Sequence, residues 1–80
     1  MPGAADMLSN LGTALHKLDR FAEAARTADR ATRSNPSLAV AWTNLGNSLE
    51  ALGRVAEAEA CHRTAIGLDP SLAEAHGNLA

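Results

Sequence analysis

The stretch AVAWTNLGN occupies positions 39–47, and the NLG tripeptide inside it, at 44–46, returns in two other places. NLG stands at 10–12 and NLA at 78–80, so successive copies are 34 residues apart. Shifting the whole chain by 34 positions aligns 46 pairs of residues, of which 19 are identical. A repeat of this length predicts a stack of similar supersecondary units, each burying its apolar face on its neighbour.

The apolar residues of each repeat follow the three- and four-residue spacing of an amphipathic helix. Two stripes show this spacing: Leu8, Leu11, Leu15 and Leu18 in the first repeat, and Trp42, Leu45, Leu49 and Leu52 in the second. Asp19 and Gly53 follow the two stripes. A turn is expected at each of them, because both residue types can adopt a positive φ. A second helix is then predicted in each repeat, at about 21–33 and about 55–68.

Proline and serine mark the junctions between repeats. Pro36 and Pro70 are expected to end the second helices, since the residue before a proline is disfavoured in the α region. Ser37 and Ser71 follow them and are expected to cap the next helix, the second within a capping-box sequence that ends at Glu74. The predicted fold class is therefore all-α: a solenoid of helical hairpins with two full repeats plus one extra helix at about 72–80.

The repeat boundaries give one domain over residues 1–80, with repeats at about 5–38 and 39–72 and a partial third repeat at 73–80. Pro2 is in phase with Pro36, and the chain stops in the middle of a predicted helix. Both observations favour a fragment of a longer array. A short protein whose fifth helix is a trimmed cap is the alternative.

Charge and composition exclude several classes of partner. The chain has 7 Lys and Arg against 9 Asp and Glu, so neither nucleic acid nor an anionic membrane is an expected partner. Cys61 is the only cysteine, which rules out an intramolecular disulfide. The N-terminal sequence is not a signal peptide, and no apolar run approaches the length of a membrane span. We expect a cytoplasmic protein without a cofactor or a metal site.

The spaced residues of the second repeat resemble the tetratricopeptide repeat, whose pattern has W-x₂-L-G, two spaced alanines and a terminal proline. The matching positions are Ala39, Trp42, Leu45, Gly46, Ala58, Ala65 and Pro70. Two departures recur: the expected tyrosine is Leu15 or Leu49, and an expected aromatic residue is Ala28 or His62. At Gly12, Gly46, Ala24 and Ala58, small side chains are expected to let paired helices approach closely, so a large residue there would overpack the hairpin.

This resemblance implies a concave groove lined by the first helix of each repeat. A polar stripe lies beside the leucine stripe, and its asparagines recur once per repeat as Asn10, Asn44 and Asn78. The stretch 39–47 is similar to repeats of the O-linked N-acetylglucosamine transferase type, in which an asparagine ladder holds peptides. An amide can both donate to and accept from a peptide backbone. The predicted binding residues are Asn10, Thr13, Lys17, Asn44, Asn47 and Asn78.

Two other interpretations of the groove bear on that prediction. The asparagines could serve only to satisfy neighbouring helix ends. A second mode within the family clamps a C-terminal carboxylate with basic residues, but the third repeat presents Glu74 where a cation is needed. The carboxylate mode is therefore disfavoured.

A rival function is structural self-assembly. The last helix has no following partner, and terminal repeats normally need a polar capping face. Stacking, a two-fold dimer or helix exchange could cover its apolar residues, which makes a homo-oligomer possible. The predicted self-association residues are Leu72, Ala75 and Leu79. A further alternative is that the parent protein is an enzyme, such as a glycosyltransferase, and that this chain guides its substrate.

The remaining candidates for chemistry are weak. Cys61 and His62 are adjacent and point about 100° apart on a helix, with no third ligand at i+3 or i+4, so packing roles are expected. Arg26, Arg30 and Arg33 share one face of the second helix, where Asp29 interrupts the positive field and favours a solvated outer face. No catalytic set is present in the sequence, and we expect no enzymatic activity. The predicted function is protein–protein interaction.

Overall fold

The computed structural model describes residues 2–72, which form four α-helices in two hairpins. The helices are α1 (Pro2–Lys17), α2 (Phe21–Ser34), α3 (Ala39–Ala51) and α4 (Val55–Leu68). The predicted all-α architecture is confirmed, and the second helices expected at 21–33 and 55–68 are α2 and α4. Apart from Leu72, the predicted fifth helix lies outside the described residues, as does Glu74 of the predicted capping box.

The turn inside each hairpin uses the left-handed residue that the sequence predicted. Asp19 has φ = 61° and Gly53 has φ = 82°. The residue after each of them, Arg20 or Arg54, donates its N–H to the carbonyl five positions earlier, at 2.9 Å in both turns. This is the hydrogen bond of a Schellman motif, which satisfies carbonyls that the helix end would otherwise leave free.

The junction after each second helix also repeats closely. The residue before the proline is extended in both cases: Asn35 has φ = −143° and Asp69 has φ = −139°. Pro36 and Pro70 therefore follow the ends of α2 and α4, as predicted, because the proline ring disfavours the α region for the residue before it.

One expectation about a helix start is wrong. Ser37 does not cap α3: the N-cap residue is Leu38, without a side-chain cap, and the Ser37 N–H donates to Asn35 Oδ1 at 3.1 Å. The Asn35 side chain, not the serine, organises this turn. Pro2 matches Pro36 in sequence but is the first residue of α1. Proline is tolerated there because the first turn of a helix has no intrahelical use for its missing N–H.

The core is built mainly from alanine. Ala24, Ala28 and Ala31 of α2 are fully buried, as are Ala41 of α3 and, within 1%, Ala58 of α4. Leu45, Leu49 and Cys61 complete the apolar cluster, and half-buried Trp42 packs against it. Trp42 also donates its Nε1–H to the Pro36 carbonyl at 2.8 Å, which fixes the indole at the junction between the repeats. Small side chains thus allow the close helix approach that was predicted.

The two glycines of the repeat are not equivalent. A Cβ built on Gly12 would meet Ala24 and Ala28 at 3.7–3.9 Å, which is ordinary van der Waals contact. A Cβ on Gly46 would come within 2.7–3.0 Å of the His62 ring. The difference arises because Ala28 and His62 occupy equivalent positions of the repeat, and only the imidazole reaches over the glycine. A Cβ at position 46 would therefore force the His62 ring to shift, whereas one at position 12 would not displace its neighbours.

Burial of the leucine stripe differs between the repeats. Leu45 and Leu49 of α3 are buried, whereas their counterparts Leu11 and Leu15 are 50% exposed and half-buried respectively. Leu18 is 66% exposed. The stripe predicted from the sequence as the buried face of α1 is therefore only partly covered.

The glycine positions give a matched pair of variants. We expect Gly12→Ala to raise the free energy of unfolding by up to about 1 kcal/mol, since alanine is the better helix former and has room. Gly46→Ala should lower it by about 1–2 kcal/mol through overpacking against His62. Urea denaturation followed by circular dichroism measures both, and His62→Ala is the background in which Gly46→Ala should become tolerated. Equal effects of the two alanines would contradict this account.

Candidate functional site

The two repeats stack with their first helices on the inside. Besides packing against the helix that precedes it, α3 contacts α1, whereas no Cα of α2 lies within 8 Å of a Cα of α4. Helices that converge on one side and diverge on the other give that stack a concave and a convex side. The side of α1 and α3 is the concave one, so residues on their shared surface face an inner groove.

Asn44 joins the two repeats across this groove. Its Nδ2 donates to the Ser9 carbonyl of α1 at 3.0 Å and to Thr13 Oγ1 at 3.0 Å. Thr13 Oγ1 in turn donates to the Ser9 carbonyl at 3.0 Å. Both amide hydrogens of Asn44 are thus engaged inside the protein, while its Oδ1 accepts no hydrogen bond from a described residue. The asparagine is a structural bridge with one open acceptor.

A small polar pocket of about 100 Å³ adjoins the bridge. Four of the predicted binding residues line it, together with His16: Thr13, Lys17, Asn44 and Asn47. His16 is held by an edge-to-face contact with the Phe21 ring, at 5.1 Å between centroids. The pocket therefore offers donors and acceptors within one concave surface, with a lysine cation at its margin.

The other predicted residues are not brought into this pocket. Asn10 is exposed on α1 and does not line it. Asn78, Ala75 and Leu79 lie outside the described residues, so the third rung of the asparagine ladder and most of the predicted self-association surface are not seen. Leu72 is half-buried at the end of the described chain.

Sequence reasoning missed the contribution of α1 to the bridge. The acceptor for Asn44 is a backbone carbonyl, that of Ser9, which no residue pattern identifies. The Ser9 side chain is buried, at 3% exposure, and its Oγ makes no hydrogen bond to a described residue. The equivalent residue of the next repeat is a threonine, so the residue type at position 9 did not indicate that its carbonyl accepts from Asn44.

Cys61 and His62 have the packing roles expected of them. His62 is buried, and its Nε2 lies 2.6 Å from Glu50 Oε1, a pairing across the hairpin that sequence spacing did not suggest. Burial raises the pKa of the Cys61 thiol, and the negative charges of Glu57 and Asp29 raise it further. A buried thiol with a raised pKa is a poor nucleophile, which agrees with the packing role expected of Cys61.

The convex side carries a larger cleft, of about 380 Å³, where α2 and α4 diverge. The cleft is lined by four apolar and four charged residues: Ala25, Leu45, Leu49 and Cys61, and Arg26, Asp29, Arg54 and Glu57. Ion pairs engage three of these charges: Arg54 with Glu57 at 2.7 Å, and Asp29 with Arg33 at 3.1 Å. The positive and negative charges balance, so the cleft does not select an anion. This agrees with the solvated outer face expected for Arg26 and Arg33 of α2.

Within residues 2–72 the structure has no group of three His, Cys, Asp or Glu side chains placed to hold a metal ion. None of the four helices is long and apolar enough to cross a membrane.

The bridge predicts a stability effect for Asn44→Ala. Losing the contact to Ser9 and Thr13 should lower the free energy of unfolding by about 1–2 kcal/mol. Each hairpin should nevertheless keep its helices. Urea titration measures the loss, and Asn47→Ala, whose side chain is exposed, is the control that should stay within about 0.5 kcal/mol of the wild type. An unchanged midpoint for Asn44→Ala would contradict the bridge.

The raised pKa of Cys61 predicts slow alkylation. At pH 8 the folded chain should react with iodoacetamide more slowly than the chain unfolded in urea, since fewer thiols are ionised and the sulfur is buried. The pH of half-maximal rate should also be higher in the folded chain than in the unfolded one. Mass spectrometry of quenched samples follows the reaction. Equal rates in both states would show that the thiol is accessible and ordinary.

A search of the curated proteins gives no match. The family model described as the tetratricopeptide repeat matches residues 9–73, which include most of α1 and all of α2, α3 and α4. Tetratricopeptide repeats are generally non-catalytic modules that mediate protein–protein interaction. The chain belongs to the tetratricopeptide repeat family.

Proposed function

We propose that the concave surface of α1 and α3 binds an extended peptide or a partner helix of another protein, and that the chain itself has no enzymatic activity. Membership of a family of interaction modules supports the general role. The observation that carries the specific proposal is the convergence of Thr13, His16, Lys17, Asn44 and Asn47 on one inner pocket.

The chemistry of the pocket suits a peptide backbone. Such a backbone alternates N–H donors and carbonyl acceptors, so a matching surface needs both. The Asn44 Oδ1 can accept, and the Asn47 amide and the Lys17 ammonium can donate. Because its Nδ2 is held by α1, the Asn44 amide is fixed before a ligand arrives, which lowers the entropy cost of binding.

The asparagine ladder extends this proposal along the groove. Asn10 and Asn44 are related by one repeat, and Asn78 is the next in register. In the resembling O-linked N-acetylglucosamine transferase repeats such a ladder holds peptides without reading their sequence closely. We propose the same mode here, with Asn44 serving two roles: it bridges the repeats through its nitrogen and contacts the ligand through its oxygen.

The proposal predicts which substitution removes binding. Peptides selected from a displayed random library against the wild-type chain should lose at least about tenfold in affinity for Asn47→Ala, a loss of about 1.4 kcal/mol. They should bind Arg30→Ala, altered at an exposed position of α2 away from the groove, like the wild type. Fluorescence anisotropy with labelled peptides measures both affinities.

Two controls make the result decisive. Asn47→Ala must unfold at the wild-type urea concentration, so that a loss of affinity reports contact and not stability. Peptides that bind Asn47→Ala and wild type equally, but lose affinity for the Arg30→Ala chain, would place the ligand on the outer surface and overturn the proposal.

A further inference from the structure

The cleft between α2 and α4, on the convex side, has the size and the lining of a binding site. Its volume of about 380 Å³ lies within the range of pockets that take small ligands. Four apolar residues form its floor, and each is at most 9% exposed: Ala25, Leu45, Leu49 and Cys61. None of the four lines the inner pocket of the groove. We call this surface the convex cleft.

The opening of the convex cleft is set by the stacking of the two repeats. α3 packs against α2 and also contacts α1, whereas α2 and α4 stay apart. By the same geometry, a helix stacked in register after α4 would pack against α4 and α3, on the side away from α2. A neighbouring repeat therefore covers an end face of the stack and leaves the convex cleft open.

The shape of the convex cleft favours a planar group. Its floor side chains are nearly buried although the cleft opens to the surface, so the way down to them is narrow. A flat ring enters such an opening, whereas a branched alkyl group would have to widen it. An aromatic side chain also buries a large apolar area while only two of its torsions become fixed.

Two arginines give the convex cleft electrostatic complementarity to a ring. Arg26 lines it from α2 and Arg54 from the residue before α4, so there is a guanidinium group on each wall. Such a group stacks on the negative face of an aromatic ring. Arg26 forms no ion pair with a described residue. Arg54 pairs with Glu57, and a carboxylate bonded to the edge of a guanidinium leaves its face free to stack.

The charges on the walls also indicate that the ring belongs to a polypeptide. Two cations and two anions line the convex cleft, so an uncharged group suits it better than an ion. The arginines donate hydrogen bonds, Asp29 and Glu57 accept them, and a backbone beside the ring presents both kinds of group. The chain's own aromatic side chains, Phe21 and Trp42, are half-buried and held by contacts of their own, so a second copy does not supply the ring.

We propose that the convex cleft binds an uncharged aromatic side chain of a partner protein, with the ring on the apolar floor between Arg26 and Arg54. The site lies on the side of the stack opposite the groove and does not depend on the function proposed for the groove. The chain thereby has a separate binding surface on each side.

The test is a titration of the isotope-labelled 80-residue chain with a blocked glycine pentapeptide that carries phenylalanine at its centre. The amide resonances of Ala25, Leu49 and Cys61 should shift saturably, with a Kd on the order of 1 mM. The matched peptide with cyclohexylalanine should bind at least about threefold more weakly, because a saturated ring has no π face. A peptide with glutamate at its centre should not bind, because the charges of the walls balance.

Substitutions in the walls locate the site. Arg26→Gln should weaken the phenylalanine peptide at least about threefold, because one cation is lost. Arg30→Gln is the matched control, since Arg30 is also exposed on α2 but does not line the convex cleft. Asn47→Ala, altered in the groove, should bind this peptide like the wild type. Ala25→Leu should fill the cleft and abolish binding, and Arg26→Gln remains the test if circular dichroism shows that Ala25→Leu loses its helices.

Cys61 gives a second measurement, because it lies on the floor of the convex cleft. The bound peptide should slow its alkylation by iodoacetamide in proportion to the occupied fraction. Several results would each overturn the proposal: no saturable shift up to about 10 mM peptide, equal binding of the cyclohexylalanine peptide, or binding that is lost in Asn47→Ala and kept in Arg26→Gln.

Two further results would assign the convex cleft to another occupant and would overturn the protein partner. Toluene that shifts the same resonances with the affinity of the peptide would assign the cleft to a small aromatic molecule. Resonances of the cleft that shift with the concentration of the chain alone would assign it to a second copy.

Discussion

Close approach of paired helices through small side chains is the constraint on which the rest of this structure depends. Ala24, Ala28 and Ala58 are buried almost completely and add little bulk between neighbouring helices. Alanine also has the highest helix propensity, so the residues that permit the packing also favour the helices themselves. Where a larger group enters, as His62 does, the opposite residue is Gly46, and a Cβ there would have to displace the ring. The two positions therefore constrain each other.

This packing gives the stack its two unlike sides. α1 and α3 converge and present polar residues to the groove, whereas α2 and α4 diverge and leave a charge-balanced cleft with an apolar floor. Asn44 links the hairpins on the concave side, where a polar group can bridge two helices and still leave an acceptor for a ligand. One side chain thus couples the stacking of the repeats to the chemistry of the groove.

The sequence by itself determined the helices, the turns and the repeat, because these depend on local chemistry. A positive φ at Asp19 and Gly53 and an extended residue before Pro36 follow from what each residue and its neighbour allow. The sequence also indicated which residues share the groove side of α1 and α3, since residues three or four positions apart lie on the same face of a helix. Only the tertiary structure decided which partners they meet. Asn44 donates to the Ser9 carbonyl, a backbone group that every residue has, so the residue types do not identify it as the acceptor. The two residues are 35 positions apart in the chain, and only the packing of α1 against α3 brings them together.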